Sequence, residues 1–183
     1  MVKIILIVLF ILILFFIITY NTLTKLKNKV DNSLSQIDIQ LQRRFDLIPN
    51  LIETVKGYMD YEKNTLTKIT ELRNNFNSTK NINEKIDLDM ELSSNIKNII
   101  LVSEQYPDLK ANQSFINLSK ELSNTENQIA YYRQFYNDII TIYNTKIQTF
   151  PNNILAKIFG FKKRDLFKIT SNETKNNINV KLD

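Results

Sequence analysis

Cysteine and histidine are absent from these 183 residues, glycine occurs only at Gly57 and Gly160, and proline only at Pro49, Pro107 and Pro151. Without Cys there is no disulfide framework and no thiol nucleophile, and without His there is no Cys/His zinc site and no imidazole acid–base chemistry. Phosphate loops, nucleophile elbows and dinucleotide fingerprints need closely spaced glycines, which two isolated ones do not supply. An all-β domain would need turn residues every 8–12 positions. So few breakers fit an all-α chain of long helices joined by few turns.

Strong charge asymmetry is also missing. The formal net charge is +5 and the pI about 9.2, yet both signs mix along most of the chain, as in Asp31, Lys56, Glu62, Lys68, Glu71 and Arg73. A nucleic-acid binder would gather its basic residues on one face. The small excess fits anionic lipid or a solvated surface better, so nucleic acid is not an expected partner.

What the chain does have is a long uncharged opening. Residues Ile4 to Leu23 carry no charge, and Ile4 to Ile18 are wholly apolar. Twenty helical residues rise about 30 Å, the thickness of a bilayer's hydrocarbon core. Phe15, Phe16 and Tyr20 sit toward one end, where aromatic rings suit the interface. The rival reading is a cleaved signal peptide, which needs small residues after the apolar run. Phe15-Phe16-Ile17-Ile18-Thr19-Tyr20 supplies none, so an uncleaved anchor in the lipid bilayer through residues 4–23 is expected. Lys3 precedes it, and Lys25, Lys27 and Lys29 follow. That bias favours a cell-membrane protein with a short outside N-terminus and a cytoplasmic bundle.

The apolar pattern continues beyond the span. Leu23, Leu26, Val30, Leu34, Ile37, Leu41, Phe45, Ile48 and Ile52 follow at spacings of 3, 4 and 4. An eleven-residue period keeps a helix nearly straight, so the first bundle helix is expected to grow out of the span. Pro49 interrupts it, since its missing N–H cannot bond the Phe45 carbonyl. A kinked, continuing helix to about Phe76, through Val55, Met59, Leu66, Ile69 and Leu72, is favoured over a chain reversal, because no polar loop surrounds the proline.

Asn77 to Asn83 reads as a turn. A further helix from about Glu84 to Gln105 would bury Ile86, Met90, Ile96, Ile99, Ile100 and Val102, and Tyr106-Pro107-Asp108 would end it. In the last long helix Phe115, Leu122, Ile129, Tyr136, Tyr143 and Phe150 recur every seven residues. Leu118, Thr125, Tyr132 and Ile139 fill the second heptad position, giving a coiled-coil-like seam that a second copy could share. Pro151 and Asn152-Asn153 stop it. Ile154 to Phe159 would form a short helix closed by Gly160. The expected organisation is an anchor at 1–23, an antiparallel bundle of four-helix type at 24–161, and a polar mobile tail at 162–183.

Several segments carry a family resemblance. They are Tyr20-Asn21-Thr22-Leu23; Ser35-Gln36-Ile37-Asp38-Ile39-Gln40-Leu41-Gln42-Arg43-Arg44-Phe45-Asp46-Leu47-Ile48-Pro49-Asn50-Leu51; and Glu53-Thr54-Val55-Lys56-Gly57-Tyr58. Tyr106-Pro107-Asp108-Leu109-Lys110-Ala111, Thr125-Glu126-Asn127 through Arg133-Gln134-Phe135-Tyr136-Asn137-Asp138, Phe150-Pro151 and Phe159-Gly160-Phe161 continue it. In this order they resemble the LemA family of bacterial membrane proteins. The resemblance implies one N-terminal membrane helix, an antiparallel helical bundle and no settled reaction. Magnetosome membrane proteins with a related domain suggest membrane organisation by analogy. The chain departs from the family at Ser33-Leu34-Ser35, where an Ala-Trp pair is common, and at Asp60-Tyr61, where His is common.

The most pointed polar cluster is Asp38, Gln42, Arg43, Arg44 and Asp46, with Glu126, Arg133 and Asn137 on one side of the last long helix. The plain reading is a half-buried network that fixes helix register, because an unpaired buried charge is heavily penalised. A solvated surface and a docking site for a partner protein are the alternatives. A di-metal bundle needs Glu-x-x-His pairs, so neither a metal nor another cofactor is expected. The basic, aromatic stretch Ile154 to Lys168 either lies on an anionic membrane or caps the open end of the bundle, capping being the plainer. A non-enzymatic scaffold or adaptor follows, with an unidentified protein partner, self-association through the heptad seam and no small-molecule substrate. A membrane-bound regulator of a protease or stress sensor is the alternative.

Overall fold

A computed structural model describes residues 1–58 and 63–167. Among the described residues there are seven helices and no strand: α1 (Val2–Asp46), α2 (Ile48–Lys56), α3 (Lys63–Ser78), α4 (Ile82–Ser103), α5 (Pro107–Ala111), α6 (Gln113–Gln148) and α7 (Asn152–Ile158). They form two compact units, one of residues 28–135 and one of residues 1–27 with residues 136–167. Helices α1 and α6 contribute to both.

In the 28–135 unit the inward side of α1 follows the eleven-residue rhythm. Val30, Ile37, Leu41 and Phe45 are buried and Leu34 is half-buried. Proline does not reverse the chain here. Leu47 alone leaves the helical pattern and keeps right-handed dihedrals (φ −77°, ψ −18°), and the Leu51 N–H donates to the Leu47 carbonyl at 3.1 Å. Pro49 sits in the first turn of α2, where its missing N–H has no intrahelical duty. Ile48, Leu51 and Val55 carry the buried stripe onward.

The expectation of one segment running on to Phe76 needs correction. Helix α2 stops at Lys56, with Gly57 capping it and the Tyr58 N–H donating to the Val55 carbonyl at 3.0 Å. Glycine is a poor residue for a helix interior. Met59, Asp60 and Tyr61 lie outside the described residues. Helix α3 then returns along α2, because Phe76 near its end stacks on Phe45 with ring centroids 4.0 Å apart and planes at 9°.

Asn81 opens α4, its side-chain oxygen accepting from the Asn83 N–H at 3.0 Å. The buried positions of α4 are Ile86, Asp89, Leu92, Ile96, Ile99 and Ser103. Met90, Ile100 and Val102, expected inside, flank this row instead, and Ile100 is exposed. The inward face repeats every three to four residues from Ile86, and those three fall beside it. Short α5 and the Asn112 cap turn the chain back. The Asn112 side-chain oxygen accepts from the Ser114 and Phe115 N–H groups at 2.9 and 3.2 Å. Helices α1–α2, α3, α4 and α6 thus alternate in direction, as in an up-down-up-down bundle.

The other unit joins the first part of α1 to the last part of α6. Residues 4–18 of α1 are exposed except for half-covered Phe15, and coverage begins at Thr19 and Leu23. Tyr136, Ile139, Ile140, Tyr143 and Ile147 are the buried face of α6 here. Phe150, expected to close the heptad seam, is instead 79% exposed. Helix α6 ends at Gln148, so Phe150 no longer follows the helical register that carried Tyr136 and Tyr143 inward. In α7, Leu155 and Ala156 are buried, and Gly160 leaves the helix with φ +71°, which suits a residue without Cβ.

Residues 162–167, counted with the tail on sequence grounds, run extended along α6. Asn144 bonds both backbone groups of Arg164, and Asn137 bonds both of Phe167, at 2.9–3.2 Å. Tyr143 donates its hydroxyl to the Lys162 carbonyl at 3.0 Å. Two anchors seven residues apart on a helix lie about 10.5 Å apart, and three extended residues span about 10 Å. The two rhythms match, and the Tyr-Asn pairs at 136–137 and 143–144 are the result. The rest of the expected mobile tail, residues 168–183, lies outside the described residues.

Candidate functional site

The 28–135 unit has a charged centre. Arg44 lies one turn before the Pro49 break, on the inward side of α1, and is fully buried. Such a group must find partners, because a guanidinium keeps its charge and an unpaired buried ion costs several kcal/mol. One terminal nitrogen donates to Asp89 at 2.7 Å and to Ser93 at 2.8 Å, both on α4. The other donates to Glu126 on α6 at 3.0 Å. One side chain therefore ties three helices together.

The environment of Asp89 is set by burial first. Loss of water pushes its carboxyl above the ordinary range, and the negative charge of Glu126 adds to that, while Arg44 and, more weakly, Arg133 pull it back. Glu126 is better hydrated, with its side chain 38% exposed, and it also faces Lys97 at 3.8 Å.

Further ties surround this centre. Asp38 accepts from Lys85 at 2.7 Å, and the same ammonium stands 4.9 Å from the Phe76 ring centroid. Arg43 pairs with Glu121, and Gln42 donates to Asp46 at 2.9 Å along the outer face of α1. Asp38, Ile39, Gln42, Arg43, Asp46 and Leu47 line a shallow, open cleft of about 530 Å³. Ile39 in it is exposed although apolar.

Of the residues singled out by sequence, Arg44 and Glu126 meet directly, and Arg133 joins them through the field at Asp89. Asp38, Gln42, Arg43 and Asp46 stand on the outer side of α1 and do not reach that centre. Asn137 belongs to the other unit, where it holds Phe167. Asp89, Ser93, Lys85 and Glu121 went unrecognised. Asp89 did leave a trace in the sequence. It stands in the row Ile86, Asp89, Leu92, Ile96, and a carboxylate in an apolar row signals a buried cationic partner. Among the described residues no group of three or more acidic side chains is placed to hold a metal ion.

The family model described as LemA family matches residues 33–182, which takes in the charged centre, the end of α1 from Ser33 and the helices that follow it. The chain belongs to the LemA family. Protein LemA of Metamycoplasma hominis is 33% identical over 179 residues, a match covering 87% of this chain and 76% of the relative. This LemA-family chain is also similar, over a shorter stretch, to Magnetosome protein MamQ 2 and Magnetosome protein MamQ 1 of Paramagnetospirillum magneticum. Each is 34% identical over 70 residues, covering 38% of this chain and 26% of the relative.

Proposed function

We propose that this LemA-family chain is a membrane-anchored, non-catalytic scaffold or adaptor whose bundle presents the outer face of α1 to a partner protein. The observation that carries the reading is how the conspicuous charges are engaged. Arg44 holds both Asp89 and Glu126 and so ties three helices, while Arg43 with Glu121 and Asp38 with Lys85 each join two. A carboxylate held this way fixes a fold and is poorly placed for proton transfer to a substrate. The exposed apolar opening of α1 supports an anchor of transmembrane length. Likeness to proteins named for the magnetosome supports a part in organising membranes.

The cleft around Ile39 supports docking, because an exposed aliphatic side chain framed by Arg43, Asp38 and Asp46 offers an apolar anchor with a polar rim. A photo-crosslinking residue in place of Ile39, activated in native membranes, is expected to yield one defined adduct. Recovery of uncrosslinked chain alone, with nothing co-purifying beyond what a chain lacking residues 1–19 brings down, would overturn the reading. The second reading, a regulator acting on a protease or stress sensor through the Asp38–Asp46 segment, uses the same face. It is distinguished by the identity of the adduct.

A further inference from the structure

We propose that the chain makes a second, peripheral contact with the membrane, in which α7 and the residues around it rest on anionic lipid headgroups beside the transmembrane span. The inference rests on the anchor reading of α1. It begins with depth. Lys3 marks one edge of the span, and Tyr20 follows seventeen residues later, about 25 Å along a helix. A hydrocarbon core of about 30 Å puts the Tyr20 ring at its far margin.

Phe159 is held at that level. Its ring meets the Tyr20 ring edge-on at 4.8 Å between centroids, and Phe161 stands 6.0 Å from the same ring. The chain immediately before it is amphipathic in an unusual sense. Leu155 and Ala156 are buried against the protein, and yet Phe150, Ile154, Ile158 and Phe159 are all more than half exposed. In water this patch would be costly. At the level of Tyr20 it meets acyl chains and the glycerol region, where aromatic and aliphatic side chains are favoured.

Charge selects the leaflet chemistry. Lys157, Lys162 and Lys163 are exposed around the apolar patch, and Lys25 and Lys27 leave the span just beyond Tyr20. Asp165 is the acidic residue within that tail segment. Lysines just outside an apolar patch attract phosphatidylglycerol-like lipid over zwitterionic lipid, by about fivefold per charge near the surface.

The chain has no tryptophan, so a single introduced indole reports alone. Full-length Ile158→Trp and Phe10→Trp variants are reconstituted in phosphatidylcholine vesicles with and without phosphatidylglycerol, each carrying brominated acyl chains as quencher. Both indoles are expected to be quenched. Emission from Ile158→Trp should be more strongly quenched and blue-shifted with phosphatidylglycerol, and adding Lys162→Gln and Lys163→Gln should abolish that difference. Quenching of Phe10→Trp with a water-exposed, unquenched Ile158→Trp overturns the inference while the anchor stands. A blue-shifted but unquenched Ile158→Trp also overturns it, in favour of a second copy or another protein covering the patch. An Ile158→Trp quenched equally in both vesicle types overturns the selectivity for anionic lipid. If Phe10→Trp itself escapes quenching, the anchor reading and the inference fall together.

Discussion

Asn144 and Arg164 are joined by a pair of opposed hydrogen bonds. The Asn144 side-chain nitrogen donates to the Arg164 carbonyl at 2.9 Å, and its oxygen accepts from the Arg164 N–H at 3.0 Å. This is the pairing one strand offers another, supplied here by a side chain on α6. Asn137 repeats it on Phe167 with 3.2 and 2.9 Å bonds.

Replacement of Asn144 by Ala should remove both bonds at Arg164 and cost about 1–3 kcal/mol, because the side chain is buried and leaves two backbone groups without their partner. Amide hydrogen exchange is the direct readout. The Arg164 amide should be protected in the parent chain and fast in the variant, with Phe167 losing protection only when Asn137 is replaced as well. An Arg164 amide that already exchanges freely in the parent chain would remove the clamp.

Arg44→Met should destabilise the bundle by about 3–5 kcal/mol, since it strands Asp89 in an apolar setting. Adding Asp89→Leu should restore much of that loss, because replacing a whole buried ion pair by apolar groups is often neutral or better. Chemical denaturation of the single and double variants measures both. Equal losses in the two would mean that the ion pair is not the main tie.

The pH dependence of Asp89 has a definite sign. Its folded carboxyl is raised above 3.8, so between that value and its folded value the native state holds more protons than the unfolded chain. Its contribution to stability is fullest in acid and falls as the pH rises through that window. The stability advantage of the parent chain over Asp89→Asn should therefore shrink from acid toward neutral pH. An advantage that grows over the same interval would show the carboxyl to be lowered, with Arg44 outweighing burial.

Phe76→Ala should cost about 3–5 kcal/mol, through loss of the stack on Phe45 and of the volume it fills. Lys85 also faces that ring, so Phe76→Leu should retain most of the packing and lose only the aromatic part. Thermal unfolding of the two variants separates these contributions.

The parts of the fold legible in the sequence were those set by repeat. The eleven-residue row from Leu23 to Ile52 marks the covered side of α1 and α2, and the seven-residue row from Phe115 to Tyr143 marks that of α6. Ends were harder. Phe150 continues the heptad on paper, but the helix stops at Gln148. Gly57 ends α2 before Val55 can hand its stripe on to Phe76. Charged partners far apart in the chain were harder still. Arg44 stood out as a member of the polar cluster Asp38 to Asp46, but nothing local tied it to Asp89, forty-five positions away. The clamp on residues 162–167 was invisible for a different reason, since it reads backbone atoms that every residue shares.

That last property has an evolutionary corollary. A hold made on N–H and C=O groups leaves the side chains of Asp165 and Leu166 at liberty to drift, so this part of the tail can change its composition while staying docked. One residue is forbidden at two places only. Proline at 164 or 167 would lack the hydrogen that Asn144 or Asn137 receives, so selection on this stretch should show up as an exclusion and not as a preference.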